Sequence, residues 1–169
     1  CIRGRVEEEN ATRFPELTIT ARVENNSRRE AFVGVPSTVI KYPNSLNIPS
    51  MKLSPALANN NPIEILRFGG VQIPGLRGLY EQITRMDCKF DFRWVGFDIS
   101  TYNKGKLNFR FFNAQGVEIG SMVNDEERGK NYLTFKAPIG KLVSRIEIHY
   151  LRQEVNDSGY DLWSMDFEL

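Results

Sequence analysis

The residues able to do chemistry are few and widely separated. His149 is the only histidine, so any Ser-His-acid or Cys-His arrangement would have to run through it. It stands on the polar phase of a strand-like run beside Glu147, and no Gly-x-Ser-x-Gly nucleophile turn occurs in the chain. A surface imidazole is the simpler reading. Of the two cysteines, Cys1 and Cys88, the second lies on the apolar phase of its run, where a thiol packs as a small hydrophobe. With no CxxC pair and one histidine, a structural zinc site has no ligand set. Asp91, Asp98, Asp161 and Asp166 could in principle pair for glycoside hydrolysis. Acids at such spacings occur in any domain of this size, so hydrolysis stands behind binding.

Oxygen ligands abound where soft ones are scarce, which favours calcium over a transition metal. Asn156-Asp157-Ser158-Gly159, with Asp161 two residues on, is a compact oxygen-rich loop. Asn156, Asp157 and Asp161 are therefore the candidate metal ligands, although the run lacks EF-hand spacing. Sugar recognition needs an exposed aromatic plate together with groups that pair with hydroxyls. Phe112 falls on the outward phase among polar residues, and Tyr102, Tyr132 and Tyr160 are expected at loop ends. Arg93 and Arg110 fall on the polar phase of their strands, where guanidinium groups can fork onto a ligand. These six are the candidate ligand-binding residues.

Charge narrows the partners. Lys and Arg total 22 and Asp and Glu 21, a net charge of +1. No bulk field is then available for nucleic acid, even though Phe109-Arg110-Phe111-Phe112 interleaves a cation with aromatics. Gly75-Leu76-Arg77-Gly78 lacks the spacing of a phosphate loop. Uninterrupted apolar runs are only a few residues long, far below the ~20 needed to span a bilayer.

The elements that must position these groups are strands. With 169 residues and 41% hydrophobic side chains, the chain fits one domain able to bury a core without disulfides. Residues 1–15 are polar and charged and read as a flexible leader. Alternation with period two then marks strands near residues 17–23, 31–35, 39–42 and 63–68. Residues 43–62, rich in Asn, Ser and Pro, are expected to form a long crossing loop. Residues 74–78 read as loop, and 79–83 as a possible turn of helix. Further on, Cys88, Phe90, Phe92 and Trp94 share one phase before the apolar phase flips to Val95, Phe97 and Ile99. Such a slip beside Gly96 is expected of a β-bulge within one strand. Further strands follow at residues 107–111, 117–119, 133–135, 146–150 and 163–169. About ten short strands nearly free of helix predict an all-β fold, an antiparallel β-sandwich over residues 16–169.

From Phe90 onward the pattern resembles the jelly-roll sandwiches of the galactose-binding-like superfamily, which includes many carbohydrate-binding modules. The resemblance is carried by Phe90-Asp91-Phe92, Leu107-Asn108-Phe109-Arg110-Phe111 leading into Asn113-Ala114-Gln115-Gly116, Ile146-Glu147-Ile148, and Gly159-Tyr160-Asp161 before the last strand. It implies a jelly roll that binds carbohydrate without catalytic machinery, often with a structural calcium, in an exported protein. A lipoprotein is also an expectation, since a mature bacterial lipoprotein begins at a cysteine and residues 3–12 would serve as a tether for a lipid anchor at Cys1. The alternatives are a structural or protein-interaction domain with a protein partner, and a glycoside-directed hydrolase.

Overall fold

Apolar residues at every second position cannot share a helix face, but in a pleated strand they all point one way. In the computed structural model, which describes residues 26–101, 105–124, 129–152 and 159–169, this rhythm builds thirteen strands. They are β1 (Ser27–Glu30), β2 (Thr38–Ile40), β3 (Leu46–Asn47), β4 (Met51–Pro55), β5 (Ile63–Phe68), β6 (Ile73–Leu79) and β7 (Ile83–Phe92). Then come β8 (Trp94–Thr101), β9 (Gly105–Phe112), β10 (Glu118–Asn124), β11 (Gly129–Lys136), β12 (Val143–Arg152) and β13 (Gly159–Glu168). A seven-stranded sheet runs β11-β8-β13-β6-β5-β2, and a six-stranded sheet runs β10-β9-β12-β7-β4-β3. Strand β1 continues along the edge of β13 that β6 begins: β6 pairs with residues 159–162 and β1 with residues 165–168. Every pairing is antiparallel. The fold is an antiparallel β-sandwich, as the alternation predicts, and of the jelly-roll type that the resemblance implies.

The core lies between the sheets. Val95, Phe97, Ile99, Leu162 and Met165 from one sheet meet Met86, Phe109, Phe111, Ile146 and Ile148 from the other, all buried. Phe97 and Phe109 sit with centroids 4.9 Å apart. Each such side chain contributes ~1.5–3 kcal/mol by leaving water, and together they fix which face of each strand turns inward. A few polar bonds cross the core or tie down its rim. The buried Tyr160 hydroxyl donates to Thr84 Oγ1 at 2.6 Å, joining β13 to β7. Glu30, at the end of β1, accepts the Phe32 amide at 2.6 Å and the Ser50 hydroxyl of the β3–β4 turn. Gln82, 1% exposed, accepts from the Leu57 and Ile83 amides and donates to the Leu57 and Asn61 carbonyls.

Several expectations are corrected. Residues 31–35 form a turn, not a strand. Phe32 takes φ 58° and is fully buried, so its apolar character marks one anchor and not a pleat. The stretch 43–62 is not one long loop: it contains β3 and β4, and Met51 and Leu53 pair with Cys88 and Met86 of β7. Residues 73–79 form a strand despite Pro74, Gly75 and Gly78, because aromatic rings fill the room those glycines leave. Residues 79–83 form the tight β6–β7 turn, with Glu81 at φ 62°, and no helical turn. The phase flip after Trp94 is not a bulge. Strand β7 ends at Phe92 in one sheet, Arg93 makes the corner, and β8 begins at Trp94 in the other. A register shift does occur in β13, between Leu162 and Ser164, where Trp163 is the extra residue. The strand expected near residues 17–23 and the leader 1–15 lie outside the described residues.

Candidate functional site

Because Val95, Phe97 and Ile99 point into the core, the residues between them must face outward. Trp94, Gly96, Asp98 and Ser100 therefore form one row on the outer face of the seven-stranded sheet. On one side β11 sets Lys136 opposite Trp94 and Tyr132 opposite Asp98. On the other, β13 sets Glu168 opposite Trp94 and Asp166 opposite Gly96, and β1 sets Arg29 opposite Asp166.

Gly96 explains the arrangement of the rings. A Cβ there would run into the Tyr132 phenol and would stand 2.9 Å from Trp94 Cη2. The two rings therefore lean together over bare backbone that any larger residue would occupy. Tyr132 is 53% exposed. Its hydroxyl donates to Asp166 Oδ2 at 2.9 Å, and Asp166 Oδ1 accepts from Arg29 at 2.6 Å. Lost solvation and then that bond to Asp166 push the Tyr132 phenol above its ordinary value. It stays protonated and a donor.

A second aromatic pair lies further along the same sheet. The bulge turns Trp163 outward, where its indole Nε1–H donates to Ser100 Oγ at 2.9 Å. Phe68 meets Trp163 edge-on, with centroids 4.8 Å apart and planes at 67°. Both cover Gly75, where a Cβ would stand within 3.2 Å of each. The Arg77 guanidinium lies 5.1 Å from the Phe68 centroid. Two clefts adjoin the Trp94–Tyr132 pair and share Trp94 and Glu168. One, of about 480 Å³, is lined further by Arg28, Arg29 and Asp166. The other, of about 560 Å³, is lined further by Arg93, Lys136 and the connection 137–142.

The sequence candidates are divided by the fold. Tyr132 belongs to the plate, though it stands within β11 and not at a loop end. Arg93, in the corner between β7 and β8, lines the second cleft. Arg110 and Phe112 are together, but on the outer face of the six-stranded sheet, apart from the other candidates. Phe112 is only 8% exposed, and the Arg110 guanidinium sits 5.1 Å over its ring. Arg110 is itself held by Glu118 at 2.7 Å. The outward phase of Phe112 is as expected, but its ring is covered and offers no plate. Tyr160 is fully buried, because its ring fills the space above Gly78 inside the sandwich. It is a core residue and not a ligand contact. Tyr102, Asn156 and Asp157 lie outside the described residues.

Asp161 is engaged within the sheet by a neighbouring cation. Both of its carboxylate oxygens accept from Arg77, at 2.9 and 3.2 Å. Among the described residues there is no group of three or more His, Cys, Asp or Glu side chains placed to hold a metal.

Sequence reasoning did not single out Trp94, Trp163 or Arg29, and it named Asp166 only as an acid that could pair for hydrolysis. For Trp94 the signal was present: if Val95, Phe97 and Ile99 face the core, Trp94 cannot. Trp163 was hidden by the bulge, since it shares odd parity with the buried Met165 and Phe167.

The six-stranded sheet carries a ladder of opposite charges on its outer face. Arg145 bonds Asp87 at 2.7 Å and Arg85 bonds Glu147 at 3.1 Å, each across β7 and β12. Cross-strand pairs of this kind support a sheet. His149 lies on that face too, its imidazole pushed below its ordinary value by partial burial. The Cys88 thiol, packed against the core, is pushed up to about 12 by burial, then by Asp87 and Asp91. Neither makes a ready nucleophile-base pair.

The class defined here is a jelly-roll β-sandwich with outward aromatic pairs beside open clefts on one sheet. No family model and no curated protein matches the chain. Among solved structures, the chain is similar to a family 29 carbohydrate-binding module complexed with mannohexaose, at 13% identity and TM-score 0.40, covering 78% of this chain and 90% of that one. It is similar also to CBM86, a low-affinity xylan-binding module from Roseburia intestinalis, at 13% identity and TM-score 0.41, covering 79% and 96%. A family two carbohydrate esterase from Cellvibrio japonicus follows at 6% identity and TM-score 0.38, and there the match spans 84% of this chain but 34% of that one. At these values the matches transfer no residue and no activity.

Proposed function

We propose that this chain is a non-catalytic carbohydrate-binding module of an exported protein, and that it binds on the outer face of the seven-stranded sheet. The observation that carries this reading is the convergence of Trp94 and Tyr132 over Gly96, edged by the carboxylates of Asp98 and Asp166. Rings held outward on a rigid strand offer a flat apolar surface to the C–H face of a sugar at little entropic cost. Carboxylate oxygens beside them accept from hydroxyls, and Arg29, bonded to Asp166, donates. Export belongs to the same reading, because polysaccharides are met outside the cell. No helix among the described residues is long and apolar enough to cross a membrane.

The test is affinity electrophoresis and calorimetry against a panel of β-glucans, xylans, mannans, galactans and pectins. The chain is expected to retard on at least one of them, and Trp94→Ala to weaken that binding by about tenfold or more, which corresponds to ~1.4 kcal/mol or more. Circular dichroism checks that the variant folds. No retardation across the panel, or undiminished binding by the variant, sinks the reading. Release of reducing ends from a bound polymer would overturn its non-catalytic part.

A further inference from the structure

The cleft of about 560 Å³ beside Trp94 carries a local excess of positive charge. Its wall carries three cations, Arg93, Lys136 and Lys141, against one carboxylate, Glu168. Among the described residues none of the three cations has an ion-pair partner. Arg29, Arg77, Arg85, Arg110, Lys130 and Arg145, by contrast, are each matched to an acid. In a chain of net charge +1, an unmatched trio at one cleft is a local property and not the spill-over of a basic protein.

The backbone holds these cations in place. The Arg93 amide donates to the Glu168 carbonyl at 2.8 Å, and its own carbonyl accepts from the Ala137 amide at 2.8 Å, so the corner is tied on both sides. Lys141 closes a turn onto the Pro138 carbonyl at 2.9 Å, and Gly140 supplies the φ of 81° that this turn needs. Lys136 is the cross-strand neighbour of Trp94. Three segments therefore converge on one side of the indole, each bringing a positive charge.

Resting on the reading of the plate as a sugar site, we propose that the natural ligand is an acidic polysaccharide whose uronic acid carboxylate enters this cleft. The sugar ring stacks on Trp94 while the carboxylate is met by Arg93, Lys136 and Lys141. A planar guanidinium forks onto a carboxylate and two ammonium groups complete the charge.

The experiment compares polygalacturonate and glucuronoxylan with the same polymers after carboxyl reduction, using the full chain. The acid forms are expected to bind at least about tenfold more tightly at low salt, and the ratio is expected to fall toward one in 1 M NaCl, where the Debye length is ~3 Å. The triple variant Arg93→Gln, Lys136→Gln, Lys141→Gln is expected to lose the preference. All three side chains are exposed, so the variant is expected to fold, and its melting curve checks this. Equal or tighter binding of the reduced polymers overturns the proposal while leaving the sugar site standing, as does a preference that survives the triple variant. Equal binding of a sulfated galactan of matched charge overturns the assignment to carboxylate. Failure of both acid and reduced forms to bind sinks the sugar site itself and this proposal with it.

Discussion

Cys88 shows how one side chain reports on its surroundings. Its thiol, pushed up to about 12 by burial and by Asp87 and Asp91, is almost wholly protonated at pH 8, and the thiol form is the unreactive one. Iodoacetamide is expected to label Cys88 orders of magnitude more slowly in the native chain than in urea, as followed by mass spectrometry of the peptide. The sign of the linked stability follows. The folded pKa lies above the unfolded value of ~8.5, so the folded state is fully favoured below that pH. The advantage is lost as pH rises toward about 12, by up to ~1.4 kcal/mol per pH unit. Urea midpoints measured from pH 8 to 10.5 should fall, and Cys88→Ala should flatten the decline. Inward placement of this thiol was legible in the sequence, because Phe90 and Phe92 share its phase. The fate of Phe112 was not. Phase tells which face a ring is on, but whether a neighbour such as Arg110 lies across it depends on side-chain packing that alternation does not encode.

Among the elements, the 57–61 connection is held by one buried amide. Gln82 makes four hydrogen bonds to main chain at Leu57, Asn61 and Ile83, so both amide hydrogens and the oxygen are satisfied. Gln82→Leu is expected to leave these groups without partners at a cost of ~2–4 kcal/mol. Hydrogen exchange should show the Leu57 and Ile83 amides losing protection before the strands beneath them. Strands flanked by turn residues were readable; those broken by Pro and Gly were not. Strand β6 contains Pro74, Gly75 and Gly78, and it is a strand because Phe68, Trp163 and Tyr160 cover the gaps, a fact of tertiary contact. Strand β4 escaped notice because its signal is two residues, Met51 and Leu53, set among loop-formers. The corner at Arg93 was visible as a phase change yet ambiguous, since a bulge and a change of sheet both shift the apolar parity by one.

At the scale of the molecule, the two outer faces have different characters although their cores are alike. Both carry charge pairs between adjacent strands. The seven-stranded face adds outward aromatic pairs and a cleft edged by unmatched cations, and that difference was beyond sequence reading because it depends on which strands become neighbours. The extra residue in β13 has a consequence of its own. Skip Trp163, and Asp161, Leu162, Ser164, Met165, Asp166 and Phe167 alternate out and in without a break, each still opposite its present partner on β8. Residue 163 is therefore supernumerary to the register, although its indole covers Gly75 of β6. Excising that one codon should leave a cooperative melting transition, whereas excising Met165 should throw Asp166 into the hydrocarbon interior and abolish it. A sandwich that can gain or shed a surface tryptophan without rethreading a single strand has a ready means of altering its decorated side while its architecture stays put.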